Sequence, residues 1–213
     1  MKENKDFLET EPIRPLLLRL ALPSVVAQLV NLLYNVVDSV YIGHIPQVGR
    51  MALTGVGVCM PIVISISAFS SLIGRGGAPK MSISMGQKND ERAERILGSC
   101  FSGLLLLGIL LTVLFFAFSE QLLWMFGASE NTIGYAMEYV NTYVCGTVFV
   151  MLSLGLNAFI TAQGYTKMSM LTVVIGAALN LVLDPVFIFL LDMGVRGAAL
   201  ATIISQAVSA AWA

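Results

Sequence analysis

The chain has 213 residues, of which 57% are apolar and only 12% are Asp, Glu, Lys or Arg. Soluble domains carry about 25% charged residues, so this sequence has too little polar surface for a water-exposed fold, and we expect it to lie in a lipid bilayer. The formal net charge of −1 gives no basic surface for nucleic acid. The three cysteines, Cys59, Cys100 and Cys145, lie in apolar stretches, which argues against a disulfide framework or a zinc site.

Apolar stretches of about 20 residues, the length that crosses hydrocarbon as a helix, recur along the chain. They predict an all-α, polytopic membrane protein built as a six-transmembrane-helix bundle. Alternation over about ten residues, which would indicate barrel strands, is absent from the sequence. The predicted spans are residues 16–42, 53–74, 96–118, 135–160, 169–191 and 195–213.

The spans divide the chain into three parts. Residues 1–15 are charged and are predicted to form a cytoplasmic segment at the membrane surface. Residues 16–213 form the transmembrane lobe, and we expect its last helix to be truncated because the chain ends at Ala213 within apolar sequence. Residues 76–95 are predicted to be a cytoplasmic loop within the lobe, in which the NDERAER run forms a short amphipathic helix.

Basic residues predict the orientation, because loops rich in Lys and Arg stay in the cytoplasm. With the N-terminus inside, only Arg50 and Arg196 fall on the outer side. The pattern therefore predicts a cytoplasmic N-terminus, a sixth span that returns inward, and a location in the plasma membrane. The basic residues on the inner side are Lys2, Lys5, Arg14, Arg19, Arg75, Lys80, Lys88, Arg92, Arg95 and Lys167.

Two acidic residues, Asp38 and Asp184, lie well inside predicted spans. An ionised carboxylate at the bilayer centre costs about 3 kcal/mol, so such residues favour a functional interpretation. Asn180 lies one helical turn before Asp184, and Thr202 lies as far beyond the predicted turn at Met193 as Asp184 lies before it. These oxygen atoms suit a hard cation or a shared proton. Hydrogen bonding between helices is the alternative, and we favour it for Thr202 alone.

The first predicted span also carries polar side chains on one helical face, and that face is expected to line a cavity. The fourth predicted span adds two polar residues that can face the same space. Helix-packing amides are an equally good interpretation of any single member. The predicted cavity residues are Asn31, Tyr34, Asn35, Tyr139 and Asn157.

Prolines interrupt three predicted spans, at Pro23, Pro61 and Pro185, and each frees a backbone carbonyl and permits a bend. Pro185 directly follows Asp184, so a kink there is coupled to the surroundings of that acid. The sequence offers no nucleophile–base constellation, and the glycines of residues 74–77 lack the Lys-Ser/Thr ending of a phosphate loop. We therefore do not expect an enzyme.

Two sequence blocks carry a family resemblance. The block ALPSVVAQLVNLLYNVVDSVYIGH has an early proline, a Gln/Asn row and a membrane acid. The block ALNLVLDPVFIFLLDMGVRGAALATIISQ has an Asn-x-x-x-Asp pair and a G-x-x-GAA-x-A-T hairpin. In both, and over essentially its whole length, the chain resembles the multidrug and toxic compound extrusion (MATE) family of cation-coupled exporters.

The resemblance implies a twelve-helix transporter whose two six-helix lobes open alternately to each side of a central cavity. This chain would match the N-terminal lobe, and its C-terminal lobe would be missing. The implied cation-binding residues, also the candidate Na⁺ site, are Asp38, Asn180, Asp184 and Thr202. The implied lining of the substrate cavity includes Asn31, Tyr34, Tyr139 and Asn157.

The favoured function is therefore an antiporter that exports small organic, often cationic, compounds in exchange for H⁺ or Na⁺. No cofactor beyond this coupling ion is expected, and the expected partners are the bilayer, the substrates and the missing lobe. One alternative is a flippase for lipid-linked oligosaccharides, which a basic central cavity would favour. The other is a truncated lobe that does not transport without a second lobe.

Overall fold

The computed structural model describes residues 12–213, and within this range the fold is entirely helical. This confirms the predicted all-α class. Of the predicted surface segment 1–15, residues 1–11 lie outside the described residues, and residues 13–15 belong to the first helix. The helices are α1 (Ile13–Gly43), α2 (Gly49–Gly86), α3 (Asp90–Met125), α4 (Ile133–Cys145), α5 (Thr147–Ala162), α6 (Thr166–Pro185) and α7 (Gly194–Trp212), with a π-helical segment, Val186–Leu190, between α6 and α7.

Most of the predicted spans appear as helices that are long and apolar enough to cross a membrane. Four of them are α1, α2, α3, and α6 together with the π-helical segment. The pair α4 and α5 forms a fifth apolar span that is bent by 59°. The sixth predicted span corresponds to α7, which is rich in Ala, Gly, Ser and Thr and falls short of the others in hydropathy. Its neighbours are α4, α5, α6 and the π-helical segment, which together bury much of its surface.

The predicted span 135–160 is not one straight helix, because the chain turns at Gly146 between α4 and α5. A Cβ atom at Gly146 would overlap the side chain of Ile203 on α7. The turn is closed by the Thr147 hydroxyl, which donates to the carbonyl oxygen of Val144 at 2.8 Å. The close approach of α7 therefore accompanies the bend. Hydropathy could not predict the bend, because apolar residues continue through the turn.

The segment 76–95 was predicted to be a loop, but it is mostly helical, and only residues 87–89 connect its two helices. Helix α2 continues to Gly86, and α3 begins at Asp90. The Asn89 side chain caps α3 by accepting a hydrogen bond from the backbone N–H of Arg92 at 3.0 Å. The polar run is thus the first part of a long helix. The sequence prediction missed this because hydropathy detects only the apolar part of a helix that extends beyond the membrane. The cytoplasmic location of this end remains a prediction.

Helix α1 lies at one side of the bundle and packs mainly against α6. Most of its apolar side chains are exposed, including Leu18, Leu22, Leu29 and Leu33. The other helices surround the main core, in which α2 contacts α3, α4 and α5, and α7 contacts α4, α5 and α6. This arrangement leaves one long face of α1 free and directs its other face towards α6 and the acid residues.

The predicted orientation can be tested by labelling single cysteines with a membrane-impermeant reagent, in a background that lacks the three native cysteines. We expect a cysteine at Glu130, between α3 and α4, to be labelled from outside. A cysteine at Asp90, where α3 begins, should be labelled only after the membrane is opened. Asp90 is a better position than Asn89, because replacing Asn89 would remove the helix cap. Labelling at Asp90 from outside would contradict the predicted orientation.

Candidate functional site

The hairpin between α6 and α7 positions most of the site. Pro185 ends α6, and the chain continues through the π-helical segment to a tight turn in which Asp192 and Gly194 have φ angles of 51° and 55°. On the returning helix, a Cβ atom at Gly197 would lie only 2.7 Å from the backbone carbonyl carbon of Phe187. Glycine at this position therefore lets α7 pack directly against the backbone that follows Asp184.

Three of the four predicted cation ligands meet on the two arms of this hairpin. The side-chain amide of Asn180 donates to Oδ1 of Asp184 at 3.2 Å and to the Thr202 hydroxyl at 3.4 Å. The Thr202 hydroxyl in turn donates to the carbonyl oxygen of Ala198 at 3.1 Å. All three side chains are buried, and Asp184 is fully enclosed. Asn180 therefore links the acid to the neighbouring helix.

The fourth predicted ligand, Asp38, approaches from α1. Its carboxyl group lies close enough to the Asp184 carboxyl group for the two to interact electrostatically. One oxygen of each, Oδ1 of Asp38 and Oδ2 of Asp184, is buried and has no hydrogen-bond partner among the described residues. We call Asp38, Asn180, Asp184 and Thr202 the acid cluster. Burying unpaired carboxylate charge is costly, so a proton or a cation at these two oxygens would stabilise the cluster.

The hairpin brings Thr202 close to Asp184, as equal spacing from the turn predicts. The two side chains meet through Asn180, whose amide nitrogen contacts both of them. The sequence expectation did not include the π-helical segment that follows Asp184.

The donor atoms of the acid cluster are all oxygens, as a hard cation prefers. Two of these donors are carboxylates, and the other two side chains are neutral. Within residues 12–213, no group of three or more His, Cys, Asp and Glu side chains could hold a metal ion. The chemistry of the cluster fits a proton or a monovalent cation better than a transition metal, which takes nitrogen and sulfur ligands.

A small polar cavity of about 50 Å³ adjoins the acid cluster. Three of the predicted cavity residues, Asn31, Tyr34 and Asn157, line it together with Ser205. Oδ1 of Asn157 and the hydroxyl of Ser205 are buried without a partner among the described residues. A polar cavity above about 15 Å³ can hold a water molecule, so ordered water would satisfy these groups. Ser205 was missed in the sequence, although its position three residues after Thr202 places it on the same helical face.

Tyr139 is enclosed by protein and does not line an open cavity, in contrast to the sequence expectation. It is 4% exposed, and its ring stacks on Tyr143 with 5.8 Å between the ring centres. Both tyrosines face inward from α4, and Tyr139 is close enough to Asp38 to interact with it electrostatically. Tyr139 thus contributes to the wall behind the acid cluster. Tyr143 was also missed, although its i+4 spacing from Tyr139 was the available signal.

Asn35 lies apart from the cluster, on the free face of α1. Its side chain is exposed, and its amide donates to the backbone carbonyl of Asn31 at 2.6 Å. It lines an open groove of about 1080 Å³ along α1, which also includes Gln28 and Ser39. We call this the α1 groove. Its described lining contains no Asp, Glu, Lys or Arg.

A third space of about 800 Å³ lies between α1, α2, α5 and α6 and includes Arg75 and Ser82. Asn31 and Asn157 line both this space and the small polar cavity. The two amides therefore lie between the acid cluster and the wider space, which extends along the C-terminal half of α2. Asn31 also lines the α1 groove, so it contacts all three spaces.

A helical lobe that buries two acids beside a polar cavity is typical of ion-coupled membrane transport proteins. Comparison with known families agrees with this class. Residues 23–186 match the MatE family model, and the chain belongs to this family.

The relatives and solved structures place the chain more closely. It is 28% identical over 210 residues to the multidrug export protein MepA of Staphylococcus haemolyticus and 25% identical over 204 residues to MepA of Staphylococcus aureus. It covers 46% and 45% of these two proteins, so it spans about half of their length.

Among solved structures, the crystal structure of a MATE point mutant superposes with a TM-score of 0.88 at 26% identity, covering 96% of this chain and 45% of that one. A MOP superfamily transporter from Pyrococcus furiosus superposes with a TM-score of 0.85 at 28% identity, covering 92% of this chain and 43% of that one. The chain therefore corresponds to one lobe of a MATE-type fold.

Proposed function

We propose that this chain is the N-terminal lobe of an antiporter that exports organic compounds in exchange for H⁺ or Na⁺. The observation that carries the proposal is the pair of buried carboxylate oxygens, one on Asp38 and one on Asp184, that have no partner among the described residues. A pair of acids on different helices can take up an ion and release it when the helices move. A role in helix packing alone does not require charge at both positions.

The proposed coupling ion binds between α1 and α6. Two carboxylates close together resist simultaneous ionisation, so one proton can be shared between them. We favour the proton, because the two acids suffice for it. Sodium would draw on the oxygen atoms of Asn180 and Thr202 as well. In either case the ion joins Asp38 on α1 to Asp184 on the α6–α7 hairpin.

The proposed substrate region is the α1 groove together with a second lobe that would close over it. Exposed amides and hydroxyls along α1 alternate there with apolar side chains, which suits amphipathic organic molecules. The related MepA proteins are multidrug export proteins. An uncharged groove favours this substrate class over a phosphate-linked oligosaccharide, whose charge would require basic residues. The proposed location is the plasma membrane, and we propose no enzymatic activity.

The direct test is transport by purified protein in liposomes. This chain and the product of the complete reading frame that contains it are reconstituted in parallel, and uptake of a fluorescent organic cation is followed under an imposed H⁺ or Na⁺ gradient. We expect gradient-driven uptake by the complete product, because an ion bound at the acid cluster drives the exchange. Uptake that is independent of both gradients would refute ion coupling. Equal transport by the isolated 213-residue chain would refute the need for a second lobe.

A further inference from the structure

A second groove lies between α2 and α3. It has a volume of about 530 Å³ and is lined at one end by the basic side chains of Lys80, Arg92 and Arg95. Its other end is formed by apolar and small residues such as Leu72 and Gly103. We call it the α2–α3 groove. It shares no lining residue with the acid cluster, the small polar cavity or the α1 groove.

The geometry of the groove follows from the antiparallel hairpin of α2 and α3. Lys80 and Leu72 on α2 are eight residues apart, and Arg95 and Gly103 on α3 are also eight residues apart. At 1.5 Å per residue, each helix carries the groove about 12 Å from the basic end into the apolar region. The basic groups thus lie near the end of the hairpin, and the apolar part lies deeper in the membrane.

Glycine keeps the deeper part open. A Cβ atom at Gly76 would meet no atom within 4 Å, so the missing side chain leaves free space beside α2. At Gly103 the nearest atom to such a Cβ is the end of the Ile73 side chain, at 3.6 Å. The deeper part of the groove is therefore open and largely apolar, which suits an acyl chain.

The charge at the other end is available to a ligand. Arg95 pairs with Glu91, and both side chains are nearly four-fifths exposed, so this pair is weak. Lys80 and Arg92 are exposed and have no ion-pair partner among residues 12–213. Lys80 and Arg92, which are unpaired among the described residues, and the weakly paired Arg95 therefore lie beside a groove that continues into the apolar part of the hairpin.

We propose that the α2–α3 groove binds one anionic phospholipid, with its phosphate at Lys80 and Arg92 and an acyl chain along Gly76 and Gly103. The phosphate complements the unpaired charges, and the acyl chain covers apolar surface that protein leaves open. On the predicted orientation this site faces the cytoplasmic leaflet. The lipid would tie α2 to α3 at the end where only three residues connect them. The proposal does not depend on ion coupling.

The test counts lipids bound to the purified chain by native mass spectrometry. Dioleoyl phosphatidylglycerol is compared with dioleoyl phosphatidylcholine, which has the same acyl chains and no net charge. We expect tighter binding of phosphatidylglycerol. Because each basic residue near a membrane surface contributes about 1 kcal/mol, Lys80→Gln and Arg92→Gln should each weaken its binding about fivefold. Lys88→Gln removes the same charge at the same end of the bundle but outside the groove, and it should have little effect.

A second pair of variants tests the acyl-chain site. Gly76→Leu should fill the groove and reduce phosphatidylglycerol binding without disturbing the fold, because its side chain enters free space. Gly98→Leu is the matched control, since a Cβ atom at Gly98 also meets no atom within 4 Å and this residue lies outside the groove. Equal binding of the two lipids, or an equal loss with Lys88→Gln, would overturn the proposal. The proposal would also be overturned if glycerol 1-phosphate displaced phosphatidylglycerol and the Gly76→Leu variant still bound phosphatidylglycerol fully. That result would indicate a phosphate site without an acyl-chain site.

Discussion

We expect Asp184→Asn to abolish drug resistance in cells that express the complete reading frame, while the amount of protein in the membrane stays normal. The amide keeps the shape of the side chain and can still interact with Asn180, whose side chain donates to Asp184 at 3.2 Å in the unmodified protein. It cannot gain and lose a charge, so the transport cycle loses its ion. Asp38→Asn should have the same effect, because the unpaired oxygens of both acids form the proposed site. Resistance is measured as the lowest drug concentration that stops growth.

The matched control is Asp192→Asn, at the exposed turn between the π-helical segment and α7. Asn tolerates the positive φ angle of 51° at this position, so the variant changes one carboxylate and little else. It should keep full resistance. Thermal stability separates the two interpretations of Asp184, since a packing role predicts that its amide variant unfolds more easily. Removing an unpaired buried charge predicts equal or higher stability. Full resistance in both Asp38→Asn and Asp184→Asn would leave only the packing role.

The sequence was sufficient to predict the fold class and the proximity of Asn180, Asp184 and Thr202, because the first depends on hydropathy and the second on helical spacing. The family resemblance added Asp38 to this group, as a fourth implied cation-binding residue. The close contacts could not be predicted. The bend at Gly146 accompanies Ile203 of α7, which is 57 residues later in the chain.

The enclosure of Tyr139 has a similar cause. Polar residues on an apolar helix predict a cavity nearby, but they do not tell whether a given side chain is exposed to that cavity or enclosed behind its lining. The stacking on Tyr143 and the surrounding helices decide between these cases, and both depend on the packed bundle. The free volume of the α2–α3 groove likewise depends on which glycines face free space. Gly76 faces free space, whereas the adjacent Gly77 packs against Cys100 and Phe159.

The proposed competition between ion and substrate predicts a reciprocal change in affinity. In the mechanism that we propose, an ion bound between Asp38 and Asp184 would remove their repulsion and let α1 move towards the α6–α7 hairpin, with Pro23 inside α1 permitting the bend. That movement changes the positions of Asn31 and Tyr34, which line the small cavity. If ion loading weakens substrate binding, substrate must weaken ion binding by the same factor, which is about 5–150-fold in typical coupled sites.

The measurement is the affinity of a fluorescent organic cation for the purified product of the complete reading frame, over a range of pH and with or without Na⁺. Protons fill the acid cluster as the pH falls, so under proton coupling the substrate affinity should fall with the pH, and Na⁺ should have no effect. Under sodium coupling, Na⁺ should lower the affinity at constant pH, and this sensitivity should disappear in Asp184→Asn. Asp192→Asn should respond as the unmodified protein does. An affinity unchanged by both pH and Na⁺ would eliminate competition through the acid cluster, because a ligand with equal affinity for both states shifts neither of them.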